Sequence, residues 1–143
     1  FGRNNGDSLL YNLGNGPYET IVLKNVVLDS GDFGADCETG GTEPITSAGN
    51  NLFTDDSCPY IAAGDQRFSD AKLGPLADHG GSTLTHMPLA GSPLIDRGIA
   101  VDTPSVDQRG LPRPSGAGVD IGSVERQPDD SDSFDIFLPL SIR

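Results

Sequence analysis

A chain of 143 residues with nine Lys and Arg against 21 Asp and Glu carries a formal charge of −12, which excludes nucleic-acid recognition by phosphate neutralisation. Its 19 Gly and 11 Pro, with no Trp and one Met, exclude a compact helical bundle, since no long Ala/Leu/Glu/Lys run is left to build one. The length suits one domain, and the hydrophobic share of 35% lies below the roughly 45–50% of average globular chains.

The first residues, Phe1-Gly2-Arg3-Asn4-Asn5-Gly6, read like the middle of a turn-rich protein, so we expect a processed chain or a piece of a longer one. A short apolar run, Ser8-Leu9-Leu10-Tyr11-Asn12-Leu13, ends at Gly14-Asn15-Gly16-Pro17. The clearest strand signal is Glu19–Leu28, where β-branched residues dominate and Asn25 interrupts. Ile21, Leu23 and Val26–Leu28 cannot share one face without a bend near Asn25, so this strand is expected to turn a corner. Residues 29–50 read as loop. Ile45-Thr46-Ser47, Asn51-Leu52-Phe53 and Tyr60-Ile61-Ala62 each supply a short strand, as do Leu94-Ile95 and Val119–Val124. Between 64 and 93, turns alternate with single large apolar residues.

The composition changes after Glu125. Gln127–Ser133 reads as an acidic linker. Beyond it, Phe134, Ile136, Leu138, Leu140 and Ile142 alternate with other residues, which is the period of a strand. Pro139 removes one backbone donor and assigns that strand to an edge.

Cys37 and Cys58 sit in polar loops, outside any Cys-x-x-Cys pattern and far in sequence from His79 and His86. That disfavours zinc and favours a disulfide over two free thiols. A disulfide implies an oxidising compartment, hence an extracellular or cell-surface location. No stretch is long and apolar enough to span a membrane.

Asp96, Asp107, Arg109, Arg113, Asp120 and Glu125 form the most suggestive polar set. Paired carboxylates could act as acid and base, with Arg holding an acidic sugar. The reading we favour is structural: Arg forks in tight Gly/Pro turns hold carboxylates and carbonyls and cap an open end. No residue set compels a catalytic role, and no enzyme is expected. Asp29, Asp32, Asp36 and Glu38 share one Gly-rich loop, and the disulfide should bring Asp55 and Asp56 to them. Such a patch could bind calcium, with Asp29, Asp32 and Asp36 as the candidate ligands, weighed against ordinary solvated loop acids; no other cofactor is expected. His79 and His86 flank Gly80-Gly81 as turn residues, without a nucleophile–base pairing.

Three stretches carry a family resemblance: Leu73–Leu89 (Leu-Gly-Pro-Leu-Ala-Asp-His-Gly-Gly-Ser-Thr-Leu-Thr-His-Met-Pro-Leu), Gly91–Gly98 (Gly-Ser-Pro-Leu-Ile-Asp-Arg-Gly), and Asp107–Pro114 with Val119–Glu125. Together they resemble the C-terminal signature of choice-of-anchor Q domain proteins and related bacterial right-handed parallel β-helix surface proteins. The Cys37 and Cys58 loops also fit that family, and the likeness covers residues 19–126. His79 departs from the usual Asn, and Ser123 from the frequent Ala. The resemblance implies an all-β chain of right-handed parallel β-helix coils with a C-terminal cap over 1–126; the composition adds the linker 127–133 and the extension strand 134–143. The expected function is an extracellular structural or assembly module, a filament or surface-layer subunit that self-associates by adding its C-terminal strand to a neighbour. The alternatives are a glycan-binding or adhesive tip and, third, a polysaccharide lyase or glycosidase.

Overall fold

The computed structural model describes residues 10–12, 20–31, 34–39, 45–58 and 61–132; the proposed assembly strand, Phe134 to Ile142, lies outside them, as does Asp32. The chain is all-β, with nine short strands and no helix among the described residues. They are β1 (Leu10–Asn12), β2 (Ile21–Leu23), β3 (Val27–Leu28), β4 (Cys37–Thr39), β5 (Ile45–Ser47), β6 (Leu52–Phe53), β7 (Gln66–Arg67), β8 (Leu73–Ala77) and β9 (Thr85–Pro88).

The order of pairing matters most. Strands β1, β2 and β3 pair with β4, β5 and β6 in the same order, all parallel, and β6 then pairs with β7. The chain therefore returns to its own register: Ile21 lies beside Ile45, Val27 beside Leu52, and Leu52 beside Gln66. The last return is the shortest, 14 residues from 52 to 66 against 25 from 27 to 52.

The expected bend in 19–28 is real. It separates β2 from β3, and Asn25 takes it with a φ of 54°. Asn50 and Gly64 hold the matching places, each two residues before the aligned Leu52 and Gln66, with φ of 54° and 83°. Asn tolerates this left-handed conformation better than most side chains. At Gly64 a Cβ would come within 2.6 Å of the Asn50 carboxamide, so that rung needs glycine. Buried Asn51 fixes the inner side of the corner. Its Oδ1 accepts from the Val26 amide, and its Nδ2 donates to the Leu23 carbonyl, Ser47 Oγ and Asp65 Oδ1.

The β3–β6–β7 sheet is covered on both faces. Leu52 and Phe53 are consecutive, point to opposite sides and are both fully buried. Phe53 packs with Leu23, Cys37, Ile45, Cys58 and Leu28, while Leu52 packs with Ala71, Leu94, Ile121 and Val27. Each such side chain contributes roughly 1.5–3 kcal/mol on burial.

Residues 73–132 form a lid, and their apolar side chains Leu73, Leu94 and Ile121 reach the outer face of that sheet. Residues 93–101 cross the returning corners one after another. Pro93 O accepts from Gln66 Nε2, Arg97 O from Asn50 Nδ2, Ile99 O from Asn25 Nδ2, and Val101 O from Lys24 Nζ. The lid also contains an antiparallel hairpin, β8–β9, where only turns were expected; its register shifts between Leu73 and Leu76, which accommodates Pro75. Leu94-Ile95 and Val119–Val124 are not strands. They meet through the Ile121 amide to the Leu94 carbonyl and the Gly98 amide to the Val119 carbonyl. Asp96, just after the first run, and Gly122, inside the second, both take positive φ, which extended strand does not accommodate. Ile61-Ala62 is likewise not a strand, and its Tyr60 lies outside the described residues.

The short last return is fastened to the one before it. Cys37 and Cys58 are disulfide-bonded. Beside them, buried Asp36 accepts from the amides of Ser30, Thr54 and Asp55 and from Thr54 Oγ1. Asp55 answers by accepting from the Asp36 amide, and Ser57 Oγ accepts from the Cys37 amide. Replacing both cysteines by serine should lower the unfolding free energy by about 3 kcal/mol, the loop-closure contribution for this separation. Urea denaturation of the oxidised protein and the double variant measures it; equal midpoints would contradict the fastening role.

Candidate functional site

All five residues proposed as a structural cap, Asp96, Asp107, Arg109, Arg113 and Asp120, come together in one network with Glu125. The Gly/Pro turns of 107–114 place Arg109 and Arg113 close behind the acid that opens them. Asp107 closes its own turn: Oδ1 accepts from the Arg109 and Leu111 amides at 2.8 and 3.0 Å. Its Oδ2 accepts from Arg109 Nε at 2.9 Å and from the Glu125 amide at 3.1 Å. The Arg109 side chain is 1% exposed. Its remaining nitrogens reach the Asp130 carboxylate at 3.1–3.2 Å and the Glu125 carbonyl at 2.6 Å.

Glu125 is buried, and each of its oxygens accepts from a backbone amide, Oε1 from Ser115 and Oε2 from Asp120. Asp120 in turn accepts from the Asp96 and Arg126 amides. Asp96 accepts from the Gly118 amide. Arg113 lies 3.5 Å from Glu125 Oε2 through Nε, without a hydrogen bond there, and donates through Nη2 to the Gly122 carbonyl.

The electrostatics split the acids. Burial alone would raise the pKa of Asp107, but the amides of Glu125 and Leu111 and the Arg109 guanidinium outweigh it and leave the carboxyl below its ordinary 3.8. Asp55 is also lowered: burial opposes, and Ser57, the Asp36 amide and the Arg67 charge prevail. Asp120 is raised, first by burial and then by the charges of Glu125 and Asp96, against the amides of Arg126 and Asp96. Arg109 is held charged by Asp130 and Asp107 despite its burial.

Three members of the network were missed by sequence reasoning. The stretch expected to be a free linker is tied down as far as Asp132. Asp130 pairs with Arg109, and Asp132 pairs with Arg126 at 2.8 Å while accepting from the Ala90 amide. The usable signal was Gln127-Pro128-Asp129-Asp130, a turn sequence in which Asp130 accepts from the Gln127 amide. A charge count could not tell this acid from its neighbours.

The candidate calcium loop divides. Asp36 points inward and its oxygens are taken by the amides and hydroxyl described above. Asp29 Oδ1 accepts from the Gly31 amide. Among the described residues, no group of three His, Cys, Asp or Glu is placed to hold a metal ion. His79 Nδ1 faces Thr85, and His86 Nδ1 lies 2.7 Å from the Gly74 carbonyl, so both histidines brace the β8–β9 hairpin.

Two outcomes test the network. Arg109→Met should destabilise the protein by about 3–5 kcal/mol, because it strands two carboxylates that the guanidinium now compensates. The pH dependence has a sign. Asp107 and Asp55 stabilise the fold above pH 3.8, and that contribution is lost as pH falls through their lower folded values. Asp120 does the reverse: its contribution is complete below pH 3.8 and is lost as pH rises through its raised folded value. Urea midpoints measured from pH 5 down to about pH 2 should fall less steeply in Asp107→Asn than in the parent. No family model matches the chain, and neither the curated proteins nor the solved structures yield a match.

Proposed function

We propose that this chain is an extracellular structural module, the C-terminal end of a right-handed parallel β-helix that self-associates through its last strand. The observation that supports the reading best is the pairing order. Strands β1, β2 and β3 meet β4, β5 and β6 in sequence and in parallel, and among the described residues the first three have a strand partner on one side only. A parallel rung with one open edge is a template for another strand. The sequence beyond 133 offers one, through alternating Phe134, Ile136, Leu138, Leu140 and Ile142.

The acids support a structural use over a catalytic one. Every carboxylate oxygen of Asp107, Asp120 and Glu125 already accepts from a backbone amide, and Asp107 also from Arg109. A general acid or base needs an oxygen that can reach substrate. The disulfide fits an oxidising location. No helix among the described residues is long and apolar enough to cross a membrane.

The lid sets where the tail must be cut to test this. A chain ending at Asp132 keeps the Arg109–Asp130 and Arg126–Asp132 pairs and removes only the proposed strand. In electron micrographs and light scattering, the full chain should form filaments or layers, and the chain ending at Asp132 should stay dispersed. Identical assemblies from both chains would sink the strand-addition reading.

A further inference from the structure

We propose that the cleft between the first corner and the lid is a binding site for a sugar carboxylate, such as one uronate residue of an acidic polysaccharide. The cleft has a volume of about 420 Å³ and is lined by Lys24 and Asn25 from the corner and by Pro104, Val106, Gln108 and Arg113 from the lid, among others. That volume lies within the usual range for small-ligand sites.

Two cations, Lys24 and Arg113, and two acids, Asp102 and Asp107, line it. Lys24 and Arg113 are two of only nine cationic side chains in the protein, and both line this cleft. The Arg113 side chain is 6% exposed. Its nearest acid, Glu125, spends both oxygens on amides and leaves Arg113 Nε without a hydrogen bond. Asp107 also borders the cleft, yet its oxygens are committed to Arg109 and to the Leu111 and Glu125 amides. The remaining acid, Asp102, is a rim residue: its side chain is 87% exposed and 4.0 Å from Lys24. An exposed pair of that length holds weakly, so an incoming carboxylate can take its place.

The rest of the lining suits a sugar ring. Pro104 and the half-exposed Val106 offer an apolar wall for a C–H face, and Gln108 and Ser123 bring an amide and a hydroxyl. Gln108 commits its Nε2 to Thr83. Its Oε1 is an acceptor suited to a ring hydroxyl. The cleft is made of described residues alone, so this site does not depend on the C-terminal tail or on assembly.

Titration of the whole protein with galacturonate, followed by amide NMR shifts, tests the proposal. Residues 24–25, 102–108 and 122–123 should shift together, and Lys24→Gln should weaken binding by about tenfold, the scale of one charge-assisted hydrogen bond. Glucose and acetate, each carrying half of the recognised chemistry, should bind at least about tenfold more weakly than galacturonate. The proposal is overturned if galacturonate leaves these amides unmoved at millimolar concentration, if glucose binds as well, or if acetate binds as well. A Lys24→Gln variant that binds galacturonate unchanged overturns it too.

Discussion

The rest of the structure depends on one sheet that must be covered twice. Leu52 and Phe53 are neighbours in a parallel ladder, and alternation sends them to opposite faces. Both are fully buried, so neither face can meet water. Phe53 is satisfied by the chain's own return, through Leu23, Ile45 and the disulfide. Leu52 needs a second layer, and Leu94 and Ile121 supply it. A strand buried on both sides lacks the polar-out pattern of a solvated sheet, which is why Asn51-Leu52-Phe53 reads as a plain apolar island.

That second layer buries few apolar residues of its own. Its buried apolar residues are Met87, Leu94, Val119, Ile121 and Val124, and about half of the lid is Gly, Pro and charge. Its shape is held by polar bonds instead. Arg109 gathers Asp107, Asp130 and the Glu125 carbonyl, and Glu125 and Asp120 tie backbone amides that no ladder satisfies. Such groups are stabilising only while the whole set is intact; a partly satisfied network leaves buried charge uncompensated. The lid is fastened to the sheet by the same means, as 93–101 offers carbonyls to Gln66, Asn50, Asn25 and Lys24 in turn.

Much of this was legible in the sequence, and the limits are physical. The bend at Asn25 could be read because a polar residue that tolerates positive φ interrupts a β-branched run. The disulfide could be read because two cysteines without metal-binding partners have one common fate in an acidic, turn-rich chain. The Asp96–Asp120 set was recognised, yet the backbone bonds that join it were not. Those bonds are settled by tertiary packing. Asp36 shows the same limit. In sequence it resembles Asp29 and Asp56, while in the fold it is a buried acceptor joining two loops. The β8–β9 hairpin hid behind Pro75, which marks a bulge as well as it marks a break.

The claim that the lid closes the outer face of the β3–β6–β7 sheet is tested most directly by native-state hydrogen exchange in Ile121→Ala. The Leu52 amide is bonded to the Val26 carbonyl inside the sheet, and the Ile121 amide to the Leu94 carbonyl inside the lid. If lid and sheet form one buried layer, both amides lose protection together, by a factor matching a loss of about 2–4 kcal/mol. Faster exchange at Ile121 with unchanged protection at Leu52 would contradict the account.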